Sequence, residues 1–125
     1  MAGRIRTIKP EWLEDEKLVL ASPAARVLSV ALILEADDHG NGRGNSDLIV
    51  SRIFPGHSRE GREGFTELLE LRFFDLYTVR GQTYFSIRNW TKHQRVDKPG
   101  KPRVPQPCED DAKGRESLSN IPGSR

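Results

Sequence analysis

The segment Ser22-Pro23 followed by AARVLSVALILEA constrains this chain more than any other. A serine hydroxyl caps a free backbone amide, and proline fits the first helical position, where no donor is needed, so a helix starts here. Apolar residues at Ala24, Ala25, Val27, Leu28, Val30, Ala31, Leu32, Ile33 and Leu34 cover nearly every face of that helix. A helix that is apolar all round belongs at the centre of a fold. The other elements are therefore expected to pack around it, and the glycine-rich string DDHGNGRGN ends it.

Upstream, Trp12, Leu13, Leu18 and Leu20 predict one or two short helical turns that pack on the central helix. Downstream, Asn45 or Ser46 caps a second, short helix, DLIVSRI, which Pro55 and Gly56 end. Ser58 opens a third helix that runs to about Leu71, with Phe65, Leu68 and Leu69 at the spacing of a buried stripe. Gly61 and Gly64 weaken its first half by roughly 1 kcal/mol each relative to alanine. The segments FFDLYTV and TYFSIRNW, rich in β-branched and aromatic residues and separated by Arg80, Gly81 and Gln82, predict a hairpin. The glycine link around Arg43 offers a short strand to the edge of that hairpin. Five of the eight prolines lie beyond Asp97, a composition that predicts a disordered tail. The expected fold is α+β: a winged helix-turn-helix with a three-helix core and a hairpin wing. Its expected divisions are an N-terminal arm with short helical turns (1–21), the winged domain (22–96), and a basic, then mixed-charge, proline-rich tail (97–125).

The net charge of +2 over 125 residues points to no partner, but the placement of charge does. The first nine residues hold Arg4, Arg6 and Lys9 with no acid, and positions 88–103 hold six basic residues against Asp97. Positions 11–38 carry two basic and seven acidic residues, a local charge of −5. A body polarised in this way can orient on a phosphate backbone. Double-stranded DNA is the partner this favours.

Lys92, Arg95, Lys98, Lys101 and Arg103 are expected to track phosphates, each neutralised phosphate releasing counterions. His93, with Gln94 beside it, can donate to phosphates or base edges, or serve as a strand-end residue. Arg4, Arg6 and Lys9 alternate with Ile5 and Ile8, which suits an extended arm that anchors apolar side chains and projects cations. Arg59 and Arg62 share a face near the start of the third helix, where arginine can read guanine and free amides favour phosphate. Glu60, Glu63, Glu67 and Glu70 stand against that role, because a carboxylate facing phosphate is repelled. Arg80 and Gln82 flank the hairpin tip, and Arg43 sits in the glycine link. Trp12, Tyr77, Tyr84 and Trp90 have the faces to stack on bases, although packing accounts for them more simply.

The segments IRTIKPEW (5–12), SPAARVL (22–28), EADDHGNGRGN (35–45), IFPG (53–56), ELLELRFFDLY (67–77) and YFSIRNWTKHQRVDKPGKPRVP (84–105) resemble the N-terminal domain of phage and prophage replication-initiation proteins of the replisome-organiser type. The resemblance spans about residues 4–105 and implies a winged-helix DNA-binding domain. In that family a flexible linker leads to a C-terminal part that engages host replication machinery. This chain stops at Arg125 within linker-like sequence, so DNA binding is carried over but helicase loading is not.

Other chemistries fit poorly. Asp37, His39, Asn41 and Gly42 imitate a calcium loop until the twelfth position, where Leu48 replaces the bidentate glutamate. His39, His57 and His93 lack zinc spacing. No catalytic set, phosphate loop or cofactor motif stands out, so neither enzymatic activity nor a cofactor is expected. One cysteine, Cys108, and no apolar run near the ~20 residues of a membrane span suit a cytoplasmic protein. Two rivals to DNA binding remain: a winged-helix module whose acidic helices bind a host or phage protein, such as a replication protein, and an inhibitor that occludes nucleic acid on a host complex. Oligomeric state is not legible in the sequence.

Overall fold

The computed structural model describes residues 5–107, which contain a 3-10 turn (Pro10–Glu14), five α-helices and one three-stranded antiparallel sheet. In chain order the helices and strands are α1 (Glu16–Val19), α2 (Pro23–Glu35), β1 (Asn41–Arg43), α3 (Ser46–Ile53), α4 (Ser58–Glu70), β2 (Phe74–Val79), β3 (Gln82–Ile87) and α5 (Trp90–His93). The protein is α+β, and β3 lies between β1 and β2.

Local chemistry sets most of the boundaries. The Ser22 hydroxyl accepts the Ala25 amide at the start of α2, and the Asn45 side chain accepts the Asp47 and Leu48 amides at the start of α3. The hairpin closes through Arg80 and Gly81, both at positive φ (51° and 80°). A two-residue turn of that hand matches the twist of its strands. The strand expected to run on to Trp90 stops at Ile87, because Asn89 takes a left-handed conformation and starts α5.

The core joins Leu28, Leu32 and Ile33 of α2 to Phe65 and Leu68 of α4, Phe74 of β2, and Phe85 and Ile87 of β3. Gly64 lets α4 meet α2 backbone to backbone: a Cβ there would lie 3.0 Å from the Ala25 amide nitrogen. Trp12 joins this assembly from the 3-10 turn, its indole donating to Ser29 Oγ at 2.9 Å. α2 is not enclosed on every side, as its composition suggested. Its neighbours cover one flank, and Val27 and Leu34 on the other remain 53% and 49% exposed.

Both faces of the sheet are covered, by different means. Phe74, Leu76, Phe85 and Ile87 point to the helices. On the opposite face Tyr77 stacks on Tyr84, its cross-strand partner, and is fully buried. Its cover is the segment expected to open a disordered tail. Residues 97–107 form no helix or strand, but they fold back as a strap in which the Pro105 carbonyl accepts the Tyr77 hydroxyl at 2.7 Å and Gln106 Oε1 accepts Asn41 Nδ2 at 2.6 Å. Positions 108–125 of the expected tail lie outside the described residues, as does Arg4.

Candidate nucleic-acid interface

The turn between α2 and β1 organises the candidate cations, because Asp37 and Asp38 gather both ends of the described chain onto it. Asp37 is buried, and its Oδ1 accepts the amides of His39 (2.9 Å) and Asn41 (3.1 Å). Its Oδ2 accepts the Arg103 amide (3.2 Å) and Gln106 Nε2 (3.0 Å) from the strap. Asp38 Oδ2 accepts the Gly100 amide at 2.8 Å, while Oδ1 lies 3.0 Å from Arg6 Nη1. Gly40, at φ +84° and pressed against Trp90, gives the turn its direction.

Arg6 and Arg103 converge on the last carbonyls of α2. Arg6 Nη2 donates to the Ala36 carbonyl at 2.9 Å, and Arg103 Nη2 donates to it at 2.6 Å. Cations complement the partial negative charge at a helix C-terminus, and guanidinium groups satisfy carbonyls that no amide reaches. Arg6 also sits over the Trp90 ring, 5.2 Å from its centroid, with a side chain only 3% exposed. The arm is pinned a second time through Gln94, whose side chain accepts the Thr7 amide and donates to the Thr7 carbonyl. The sequence assigned Arg6 and Arg103 to DNA. Their guanidinium groups instead close the fold at the end of α2, because carbonyls and carboxylates there offer ordered acceptors close by.

The cations proposed for the third helix are likewise partnered. Arg59 Nε lies 3.6 Å from Glu63 Oε2, and Arg62 Nε lies 3.4 Å from Asp47 Oδ1. Of the four glutamates in α4, only Glu67 turns inward, accepting the Ser22 amide and hydroxyl at 3.0 and 2.7 Å. Glu60, Glu63 and Glu70 stay exposed. The Glu60 carboxyl is held below its usual range chiefly by a hydrogen bond from its own backbone amide, with His57 adding to the effect. The first turn of α4 thus already carries an anion where a phosphate would sit.

Arg43, Arg80 and Gln82 gather at the hairpin end of the sheet. Arg43 pairs in register with Tyr84 and Gln82 with Val79, so all three lie within a few residues of the turn, and all are exposed. Among the described residues, no ion pair engages Arg43 or Arg80. Lys98 and Lys101 project from the strap, also exposed and without an ion pair among the described residues, whereas Arg95 contacts Asp97 at 3.2 Å. Lys9, Lys92 and His93 line a separate cleft with Glu11 and Asp15. His93 is half-buried, its ring 5.5 Å from that of Phe73, and burial lowers its pKa, with Asp15 opposing and Lys9 adding to the shift.

The proposed cations therefore fall into separate groups rather than one continuous face. Sequence reasoning missed Asp37 and Asp38 as organisers, although the bond from the His39 amide to Asp37 Oδ1 is an Asx turn of the kind a DDHGN string encodes. Among the described residues there is no metal-binding cluster, and no helix is long and apolar enough to cross a membrane. Comparison with family models, with curated proteins and with solved structures finds no match.

Proposed function

We propose that this protein is a winged helix-turn-helix module that binds duplex DNA through its wing and strap. Several features support this: the order helix, strand, helix, helix, strand, strand from α2 to β3; the placement of β3 between β1 and β2; and the resemblance to replisome-organiser proteins. The last favours a role in replication initiation for a phage or prophage, in the cytoplasm, as a binding module rather than an enzyme. The observation that carries the reading is the exposure of Arg43 and Arg80 at one end of the sheet, with no ion pair among the described residues, while the arginines of α4 have acidic partners.

The contact surface differs from that of a helix reading a groove. From the hairpin tip to the strap the sheet is about 20 Å long, enough to follow several phosphates of one strand. Arg43 and Arg80 at one end, and Lys98 and Lys101 at the other, supply the charge, and Gln82 supplies a donor beside the tip.

Fluorescence anisotropy with duplex DNA over a series of salt concentrations tests this. Four phosphate contacts predict a slope of log K against log salt of about −3.6. Arg43→Ala and Arg80→Ala should each reduce its magnitude by about 0.9, whereas Arg59→Ala should leave it unchanged. Absence of binding at low salt, or slopes insensitive to both wing substitutions, would overturn the proposal.

The exposed Glu60, Glu63 and Glu70 favour a second reading, in which α4 presents an acidic ridge to a basic protein. A partner retained from nuclease-treated lysate by the wild type but lost on Glu63→Lys with Glu70→Lys would select it.

A further inference from the structure

The last residues of the strap are fixed on the same face of the sheet as an exposed cation. The Tyr77 hydroxyl holds Pro105 and the Asn41 side chain holds Gln106, and Tyr77 and Asn41 both belong to the outer face. Arg43 lies on that face too, two residues beyond Asn41 and in one cross-strand row with Tyr84 and Tyr77. Two residues of strand cover about 7 Å, and the three from Tyr77 to Arg80 at the turn cover about 10 Å. Arg43 and Arg80 are exposed, and among the described residues neither has an ion pair.

Charge and reach identify what fits these cations. Past Pro107 the sequence reads Cys108, Glu109, Asp110, Asp111, which places three consecutive acids directly after the strap. A chain spans at most about 3.5 Å per residue, so Glu109 reaches about 7 Å from Pro107 and Asp111 about 14 Å. Those spans match the steps from Asn41 to Arg43 and from Tyr77 to Arg80. Rival cations fit less well. Arg59 and Arg62 already face Glu63 and Asp47, Arg52 faces Glu35, and Arg88 faces Asp75. Lys98 and Lys101 flank Gly100, which is held on Asp38 at the opposite end of the strap. A short tether also presents the acids at an effective concentration in the millimolar range, so that exposed ion pairs, individually weak, are populated.

We propose that Glu109, Asp110 and Asp111 dock on Arg43 and Arg80 of the same chain and compete there with phosphate. The carboxylates cover the hairpin end in the free protein, and a nucleic acid must displace them. The consequence for affinity rests on the DNA binding proposed above, whereas the docking itself does not.

The full chain carrying Glu109→Gln, Asp110→Asn and Asp111→Asn tests both parts. Without DNA, at about pH 6 where carboxylates remain ionised, the Nε–Hε resonances of Arg43 and Arg80 should differ between this variant and the wild type. Those of Arg59 should coincide. Salt at about 0.5 M shortens the Debye length to roughly 4 Å and should abolish the difference. With duplex DNA at about 0.1 M salt, the variant should bind about fivefold more tightly than the wild type. That gain should vanish when Arg43→Ala and Arg80→Ala are also present.

Unchanged arginine resonances would overturn the docking, as would changes that grow with protein concentration, which would assign the acids to a second copy. A gain in affinity that persists without Arg43 and Arg80 would be a general charge effect and would overturn the competition. Changed resonances, with no DNA bound by any variant, would uphold the docking and reject the DNA reading.

Discussion

Replacing Asp37 tests the role assigned to the turn between α2 and β1. Four donors converge on this carboxylate, two from the turn itself and two from the strap. Asp37→Ala strips all four. Each hydrogen bond to a carboxylate is worth about 1.5–3 kcal/mol, but the exposed amides of His39 and Arg103 regain water, so a net loss of about 3 kcal/mol is expected. For a domain of this size that lowers Tm by roughly 12–24 °C. Asp37→Asn is more selective. Its side-chain oxygen can still accept the His39 and Asn41 amides, but its NH2 group then faces the Arg103 amide and Gln106 Nε2, both donors. The turn should survive while the strap is released, with a global loss of only about 1–2 kcal/mol.

Circular dichroism melts measure the global change, and hydrogen exchange read by mass spectrometry measures the strap. In Asp37→Asn the amides of Gly100 and Arg103 should lose protection while those of β2 and β3 keep theirs. Limited trypsin digestion gives an independent readout: Lys98 and Lys101 each precede proline and resist cleavage, so Arg103–Val104 is the informative bond within the strap. A Tm for Asp37→Ala within about 3 °C of the wild type, or a strap equally protected in Asp37→Asn, would refute the reasoning, since hydrogen bonds worth ~1.5–3 kcal/mol each would then be doing almost nothing.

Two other consequences follow from the packing. Gly64→Ala gains about 1 kcal/mol of helix propensity, but its new methyl meets the backbone of Ala24 and Ala25, which cannot yield as a side chain tip can. The expected result is a net destabilisation of up to about 2 kcal/mol in urea unfolding, given an overpacking cost of roughly 1–3 kcal/mol. His93 prefers its neutral form when folded, because burial lowers its pKa below the ordinary value of about 6.5. As pH falls below that value the unfolded chain takes up the proton first, so the wild type should lose stability between about pH 7 and 5. The Tm difference between His93→Gln and wild type should shift in the variant's favour over that range, and a constant difference would reject the assignment.

Much of the fold was legible because its signals are local. Ser22 and Asn45 cap helices with their own side chains, and Arg80 with Gly81 makes a turn that the flanking strands require. Even the strand contributed by the glycine link could be anticipated, since Arg43 lies in register with Tyr84. The strap and the inward arginines were not legible for the opposite reason. Arg6 meets Ala36 thirty residues away and Arg103 meets Asp37 across sixty-six, so nothing near either arginine distinguishes it from Arg43 or Arg80. Proline content argued for disorder beyond Asp97, but proline also reduces the conformational freedom that ordering removes. With Asp37 and Asp38 as acceptors, a segment with four prolines between positions 99 and 107 can therefore hold its place without helix or strand.

At the two ends of the described chain arginine and lysine play different parts, and under the proposed DNA binding that difference bears on affinity. A guanidinium offers several fixed donors and serves a carboxylate and a carbonyl at once, which Arg6 does with Asp38 and Ala36. An ammonium is a hydrated point charge on a flexible stem, and Lys98 and Lys101 remain in solvent. Arg103 and Gln106 thus hold the strap while its lysines stay exposed, so in the proposed complex a phosphate would meet cations carried on a backbone already fixed relative to the hairpin. Fixing the strap backbone in advance removes part of the ordering cost from the binding step. Asp37→Asn, which alters no cation, should therefore weaken DNA binding several-fold while leaving the salt slope where it was. Arg43→Ala should do the reverse to the slope, because it deletes a charge without disturbing the strap. Equal slopes with unequal affinities in the first case, and unequal slopes in the second, would separate the positioning of charge from its amount.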